Sequence, residues 1–195
     1  MTGALSLMSH WVDRHFTGHD FRDDDLSRLH TERTVFTECD FSGVNFAESQ
    51  HDGSAFRNCR FELTTLWHSV FRQCSLLGSV FVHCRMRPIT FDEVDFTLAA
   101  LGGNDLRGVD LSGCRLRETS LVEADLRKAV LRGADLSGAR TAGTRLDQAD
   151  LRGAMIDPVL WNTATLSGAY VDLPQALAFA VAQGLRLDSP DLSAV

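Results

Sequence analysis

Cysteine and histidine are the residues of this sequence that could ligate a metal ion or act in catalysis. The five cysteines, Cys39, Cys59, Cys74, Cys84 and Cys114, lack the paired spacing of a zinc site. Each lies two residues before a position of a five-residue apolar pattern, in a slot otherwise filled mainly by small residues. Free cysteine commonly packs as a small apolar side chain, so we expect these thiols to be buried and not to form disulfide bonds.

The seven histidines all precede residue 84 and are scattered along the chain. His51 occupies the apolar pattern itself, one 20-residue interval after Thr31, and no cysteine, histidine or carboxylate set with ligand spacing surrounds it. We expect a buried hydrogen bond or a local bulge there. The chain also has no phosphate-binding loop, nucleophile elbow or metal motif. The sequence therefore predicts no catalytic residues, no metal site and no cofactor.

One apolar residue in every five organises the chain from Trp11 to Val171. Of the 33 positions in this series, 30 are apolar, and Thr31, His51 and Thr141 are the exceptions. Residues five apart do not share a face of an α-helix, and on a strand an odd spacing alternates between faces. A chain that keeps every fifth side chain inside must turn a corner every five residues. The series, called the apolar ruler below, therefore predicts a solenoid.

The clearest repeat units are residues 124–128, 134–138 and 149–153, which read ADLRK, ADLSG and ADLRG. They resemble the pentapeptide-repeat family, whose unit is a small residue, Asp or Asn, Leu or Phe, a polar residue and often Gly. The resemblance implies an all-β fold, a right-handed quadrilateral β-helix of about eight 20-residue coils with a short C-terminal α-helix. We expect a leader or cap at 1–10, the β-helix at 11–173 and a helix with its tail at 174–195.

Charge and hydropathy restrict the partners. The chain has 26 Asp and Glu against 19 Lys and Arg, a net charge of −7, which disfavours nucleic acid and favours a basic partner. No segment approaches the length of a membrane span, and the N-terminus lacks a convincing signal peptide. We expect a cytoplasmic protein that does not bind membranes. Pro88 predicts a kink or shifted turn, because proline cannot donate to the strand ladder.

The chain after the ruler reads as a helix. Asp172 and Pro174 mark its start and Gly184 its end. A helix this apolar is normally buried on more than one side, so one side would cover the last coil and the other a partner. We predict a twofold homodimer. The expected contact residues are Leu177, Phe179, Val181, Leu185 and Leu187. The alternative is a monomer whose tail, residues 185–195, folds over the helix.

Aspartate recurs in the slot before the ruler, where it commonly stabilises turns. Within the family, the chain resembles the mycobacterial fluoroquinolone-resistance proteins through residues 25–33, 65–69, 104–108 and the closing helix. That resemblance implies a dimeric DNA mimic that binds DNA gyrase, modulates its activity and protects it from fluoroquinolones. The ATPase subunit is favoured over the cleavage core. The acids expected to engage gyrase lie towards the predicted dimer centre: Asp105, Asp110, Asp125, Asp135, Asp147, Asp150 and Asp157.

A second hypothesis is a scaffold or interaction module for a different basic partner, because a fold alone does not define a function. Assays of gyrase supercoiling distinguish the two hypotheses. The sequence leaves open which DNA segment of the gyrase cycle would be mimicked, the duplex that is cut or the duplex that is passed through it.

Overall fold

The structure is a computed structural model that describes residues 10–186. The described chain consists of short parallel strands followed by two helices near its C-terminal end. The elements are β1 (His10–Val12), β2 (His15–Thr17), β3 (His30–Glu32), β4 (Val35–Thr37), β5 (Gln50–Asp52), β6 (Ala55–Arg57), β7 (Arg60–Glu62), β8 (Val70–Arg72), β9 (Val80–Val82), β10 (Thr90–Asp92), α1 (Leu160–Thr163) and α2 (Leu173–Ala182).

The strands form three parallel sheets, and isolated bridges form a fourth ladder; in all four each residue pairs with the residue 20 positions later. In one ladder β1, β3, β5, β8 and β10 follow one another, with Trp11 opposite Thr31 and Phe71 opposite Phe91. After β10 the ladders continue as isolated parallel bridges, as far as the pair Asp150 and Tyr170. The chain therefore winds about eight coils between residues 10 and 170. The predicted solenoid is confirmed.

The apolar ruler fills the axis of the solenoid. Its phenylalanines stack in columns, with ring centroids 4.7 Å apart for Phe36 and Phe56 and 4.6 Å apart for Phe61 and Phe81. Beyond Phe96 the same positions carry mainly fully buried leucines. Each such side chain stabilises the fold by about 1.5–3 kcal/mol relative to an exposed one. The core is therefore aromatic in the N-terminal half and aliphatic in the C-terminal half.

The slot two residues before the ruler holds small side chains that face inward. Thr64 and Ser69 each donate a hydrogen bond to a carbonyl 23 residues earlier, at 2.9 and 2.8 Å. The thiols of Cys59 and Cys74 make the same contact. All five cysteines are free, four are buried and Cys84 is half-buried. Burial raises the pKa of Cys59 and Cys74 to about 12. The prediction of small, unbridged core cysteines is confirmed.

The residue two places after the ruler turns the corner. It adopts a positive φ in nearly every unit, whether it is glycine, as at Gly103, or not, as at Lys128. Proline cannot adopt this conformation, because its ring fixes φ near −65°. Pro88 occupies this slot, and the turn there differs from its neighbours while the pairing of Thr90 with Val70 persists. The shifted turn predicted at Pro88 is present.

Pro158 occupies the same slot and causes a larger irregularity that the sequence pattern did not indicate. The chain forms the short helix α1 just after it, and Trp161 of this helix still lies in the core. The ladder then resumes where Arg145 pairs with Thr165. The extra turn is therefore absorbed at one corner without loss of the 20-residue register.

Helix α2 closes the C-terminal end. The Asp172 side chain accepts a hydrogen bond from Gln175 N at 3.0 Å, and the Gln175 side chain accepts one from Asp172 N. Gln175 is buried, and its Nε2 donates to the carbonyls of Leu151 and Ala154 at 2.6 and 2.9 Å. The predicted helix start is confirmed, and one side of α2 covers carbonyls of the last coil.

Candidate protein-interaction surfaces

The seven acids predicted to bind a partner lie on three of the four faces of the solenoid. The bridge register places Asp105, Asp125 and Asp147 on one face, Asp110 and Asp150 on a second, and Asp135 and Asp157 on a third. The structure therefore does not gather them into one patch. A partner that touched all seven would have to surround the rod.

Two of these acids are held by arginines on their own face. Asp105 accepts bonds from Arg107 at 2.8 and 2.7 Å, and Arg87 Nη1 approaches it to 3.0 Å. Asp125 makes the equivalent contacts with Arg127 at 2.8 and 2.7 Å. Each aspartate pairs with the arginine two residues later because the residues on either side of a ruler position both point outward. The triplet Asp-Leu-Arg therefore forms a bidentate ion pair by itself.

Asp150 and Asp135 are also paired. Asp150 is held by Arg152 at 2.7 Å and by Arg132 at 2.5 Å, and Asp135 lies 3.8 Å from Arg117. The hydrogen bond from Arg152 holds the pKa of Asp150 well below its usual range. The bond from Arg107 does the same for the pKa of Asp105. These carboxylates stay ionised, but their oxygens are occupied and their charges are locally balanced.

The other three acids form no ion pair within the described residues. Asp110 accepts from the hydroxyl and amide of Ser112 at 2.5 and 2.9 Å, and Asp157 accepts from Gly138 N at 2.6 Å. Asp147 accepts a hydroxyl and an amide hydrogen bond from the next coil. The bond from Thr165 lowers the pKa of Asp147. These three aspartates therefore keep a net negative charge available to a partner.

The face that carries Asp105 and Asp125 is basic over its central coils. The register brings together the cations Arg85, Arg87, Arg107, Arg127, Lys128 and Arg145. These six cations outnumber Asp105, Asp125 and Asp147 on the same face. The negative potential of this chain must come mainly from the other faces.

The C-terminal end exposes apolar side chains. Leu173, Leu177 and Val181 are spaced four residues apart on α2 and are 73%, 45% and 56% exposed. Such spacing forms a stripe along one side of a helix. Leu185 and Phe179 are also exposed, and the ring of Phe179 packs edge to face on Trp161 with centroids 5.8 Å apart. Of the predicted dimer contacts, Leu187 lies outside the described residues.

His51 is a buried core residue. Its Nδ1 and Nε2 bond the hydroxyls of Thr31 and Ser49 at 2.8 and 3.0 Å. Its ring also packs against Phe71, with centroids 4.6 Å apart. Burial lowers the pKa of His51 to about 3, so the imidazole is neutral at physiological pH. The predicted buried hydrogen bond between Thr31 and His51 is confirmed.

Two other histidines, His10 and His30, lie next to each other, although the sequence suggested that the histidines are scattered. His10 and His30 are paired one coil apart, and their rings stack with centroids 4.4 Å apart. His10 Nε2 lies 3.0 Å from a Glu32 oxygen, and His30 Nε2 lies 3.0 Å from an Asp52 oxygen. The interval of 20 residues between the two histidines was the sequence signal for this cluster, which we missed.

A parallel solenoid with a filled core and several charged outer faces defines a repeat protein that acts through its surface. Within the described residues, no helix has the length and apolar character needed to cross a membrane. The family model of the pentapeptide repeats matches residues 95–133 and 129–157. The predicted resemblance to the pentapeptide-repeat family is confirmed, and residues 95–157 of this chain are pentapeptide repeats.

Two curated relatives share segments of high identity. Over 106 residues, 54% of this chain, the sequence is 76% identical to the pentapeptide repeat protein MfpA of Mycobacterium tuberculosis, of which the segment covers 58%. Over 67 residues, 34% of this chain, it is 66% identical to MfpA of Mycolicibacterium smegmatis, of which the segment covers 35%. The matches thus span between about a third and somewhat over half of these relatives.

The fold has a counterpart among solved structures. HetL, a pentapeptide repeat protein involved in heterocyst differentiation regulation in a Nostoc cyanobacterium, superposes with a TM-score of 0.56. The alignment covers 85% of this chain and 88% of HetL at 20% identity. At this identity the likeness establishes the fold, a pentapeptide-repeat β-helix, and says nothing about function.

Proposed function

We propose that this chain is a non-enzymatic DNA mimic that binds DNA gyrase, modulates its activity and protects it from fluoroquinolones. The observation that carries the proposal is the 76% identity to M. tuberculosis MfpA over 106 residues, on a stiff acidic rod. This identity supports the resemblance to mycobacterial fluoroquinolone-resistance proteins from which the gyrase hypothesis came. Gyrase acts in the cytoplasm, where we place this protein.

The dimensions suit a mimic of duplex DNA. Eight coils at about 4.8 Å give a rod about 40 Å long, and a dimer joined end to end would reach about 80 Å. Twice the net charge of −7 is −14. That is one net charge per about 6 Å, compared with one per about 1.7 Å of duplex DNA. Because the mimic has a lower charge density, the positions of its free carboxylates must matter more than its total charge.

The seven aspartates differ in how readily each can bind a partner, because only some of their carboxylates are free of ion pairs. Asp110, Asp147 and Asp157 can each accept a new bond from a lysine or arginine of the partner, since none is already in an ion pair. Asp105 and Asp150 would first have to release their own arginines. We therefore expect the first three to contribute most to direct contacts. Their position on three different faces suits a groove that surrounds the rod.

Dimerisation through the C-terminal end is part of the proposal. Tyr170 and Leu185, which flank the exposed stripe Leu173, Leu177 and Val181 in the sequence, are exposed as well. Exposed apolar surface of this extent commonly marks an interface. A twofold axis at this end would bring the stripe of one copy against that of the other and join the two rods. The exposed Phe179, which rests against Trp161, would also contact the partner copy.

We favour the gyrase ATPase subunit as the partner over the cleavage core. A rod without cleavable phosphates can occupy the cavity for the passed duplex without meeting the catalytic tyrosine. The test is a pull-down with separated gyrase subunits, together with supercoiling, ATP turnover and quinolone-induced cleavage. Capture by the ATPase subunit alone supports the proposal. Unchanged values in all three assays at micromolar protein would exclude a gyrase modulator and favour the alternative, a scaffold for another basic partner.

A further inference from the structure

The ligating atoms of three side chains, His10, His30 and Glu32, lie within 4.8 Å of one another on the outer surface of the first two coils, and Asp52 of the third coil contacts His30. His10 and His30 are register partners in β1 and β3, and Glu32 and Asp52 are register partners in β3 and β5. Residues two apart in a strand point to the same side. The histidine column therefore lies beside the carboxylate column. Neither column belongs to the surfaces assigned above to gyrase or to the dimer.

The ligating atoms of His10, His30 and Glu32 lie close enough together to hold one small ion, and Asp52 lies outside that group. His10 Nε2 lies 3.0 Å from Glu32 Oε1, His30 Nε2 lies 3.8 Å from the same oxygen, and His30 Nε2 lies 3.0 Å from Asp52 Oδ2. In a tetrahedral zinc site with bonds of about 2.0–2.1 Å, neighbouring ligand atoms are about 3.3–3.4 Å apart. The imidazole rings are stacked at 13° to each other, so small side-chain rotations must turn both rings towards the ion.

Two arginines orient the carboxylates without blocking the cluster. Arg33 Nη1 lies 3.6 Å from Glu32 Oε2, the oxygen that faces away from the histidines. Arg72 Nη1 lies 3.4 Å from Asp52 Oδ1, again the far oxygen. The near oxygens remain directed at the imidazoles. Outer partners that orient ligands in this way are a regular feature of metal sites.

We propose that His10, His30 and Glu32, with Asp52 beside His30, form a binding site for a divalent transition-metal ion, with Zn²⁺ as its reference ligand. Two imidazoles and one carboxylate, with a fourth position open to water, are a donor set that suits zinc and its first-row neighbours. The ion would link the first two coils, in addition to the ladder hydrogen bonds, the stacked rings of Phe16 and Phe36 and the ion pair of Arg33 with Asp13 that already join them. It would therefore reinforce the N-terminal end of the described rod.

Isothermal titration of the full-length, untagged protein with Zn²⁺ tests the site. We expect one strong site per chain in the wild type and a loss of affinity of about tenfold or more in the double variant His30→Gln/Glu32→Gln. The exposed His83 lies outside the cluster, so His83→Gln is the matched control and should bind as the wild type does. Equal affinity in the wild type and the double variant, or no binding by the wild type at millimolar zinc, would overturn the proposal.

Hydrogen exchange gives a second, independent reading. Zn²⁺ should slow exchange of the amides in β1 and β3 of the wild type, because an ion that binds only the folded state stabilises that state against opening. Exchange in the double variant, which lacks the site, should not change. Near-ultraviolet circular dichroism verifies that the double variant is folded before either comparison. Cobalt in place of zinc should give the visible spectrum of a tetrahedral ion. If zinc slows amide exchange equally in the wild type and in the double variant, the ion binds elsewhere and the proposed site is wrong.

Discussion

Acid should destabilise this protein through His51, and the effect can be isolated. The folded-state pKa of His51 is about 3, compared with an ordinary value of 6.5, because burial disfavours the charged ring. The unfolded chain therefore binds a proton that the folded chain rejects. The stability contributed by the neutral ring is complete above about pH 6.5 and is lost as the pH falls towards 3. The slope is about 1.4 kcal/mol per pH unit.

The perturbation is His51→Phe, which restores the apolar ruler. Phe71 follows His51 in the same column, and Phe46 and Phe56 pack edge to face against the imidazole, so an aromatic ring suits the space. Between pH 7 and 5 the wild type should lose about 2 kcal/mol through this residue. For a chain of this size that corresponds to about 4–8 °C in Tm. The variant should lack that part of the dependence.

Urea unfolding followed by circular dichroism at pH 7, 6 and 5 measures the effect. The difference between wild type and variant removes the contribution of the other titrating groups, provided that those groups are distant from position 51. His83→Gln, a change at an exposed histidine, is the control and should retain the wild-type slope. Parallel pH profiles for the wild type and His51→Phe would refute the conclusion that His51 is held neutral by burial.

Three further predictions concern the ends and the corners. Leu177→Asp should convert the proposed dimer to a monomer of unchanged fold, and light scattering that still reports a dimer would exclude this interface. Gly102→Ala should destabilise the rod by about 1–3 kcal/mol, because the added Cβ would lie 2.7 Å from the carbonyl oxygen of Val122; thermal unfolding measures this loss. Gln175→Ala should leave the carbonyl of Ala154 without its hydrogen-bond donor and remove one of the two hydrogen bonds to the carbonyl of Leu151, at a cost of about 1–3 kcal/mol, and hydrogen exchange should rise selectively at the C-terminal end.

The core and register follow from the sequence because a five-residue period admits few solutions. Once every fifth side chain must point inward, the partners of Thr31 and His51 are determined by counting, and the structure confirms that contact. The same counting applied to His10 and His30 would have found the histidine cluster. Exceptions within the ruler thus indicate buried contacts, whereas residue types repeated every 20 positions beside it indicate clusters on the surface.

The surface was harder to predict because it depends on pairs of side chains. The sequence predicts that Asp105 and Asp150 project outward, but whether their charge is free depends on arginines two residues away and one coil away. The irregularity at Pro158 has a clear physical reason, since its slot normally requires a positive φ. The irregularity takes the form of a short helix, after which the chain returns to the 20-residue register. That form depends on how Trp161 packs in the core, which no local sequence pattern indicates.

The central claim is that free carboxylates on this rod contact gyrase directly, and one matched comparison tests it. The variant Asp110→Asn/Asp147→Asn/Asp157→Asn removes three unpaired charges. The control Asp105→Asn/Asp125→Asn/Asp150→Asn removes three charges whose oxygens already bind arginines. Both change the net charge equally, so the long-range electrostatic effect is matched.

The measurement is the affinity of each protein for the gyrase ATPase subunit at low and at physiological salt. We predict that the first variant binds at least about tenfold more weakly than the control, a difference of about 1.4 kcal/mol. Added salt should lower the affinity of the wild type and of both variants for the ATPase subunit. Equal losses in the two variants would contradict direct contact by the free carboxylates. Absence of binding by the wild type to any gyrase subunit would contradict the proposed function itself.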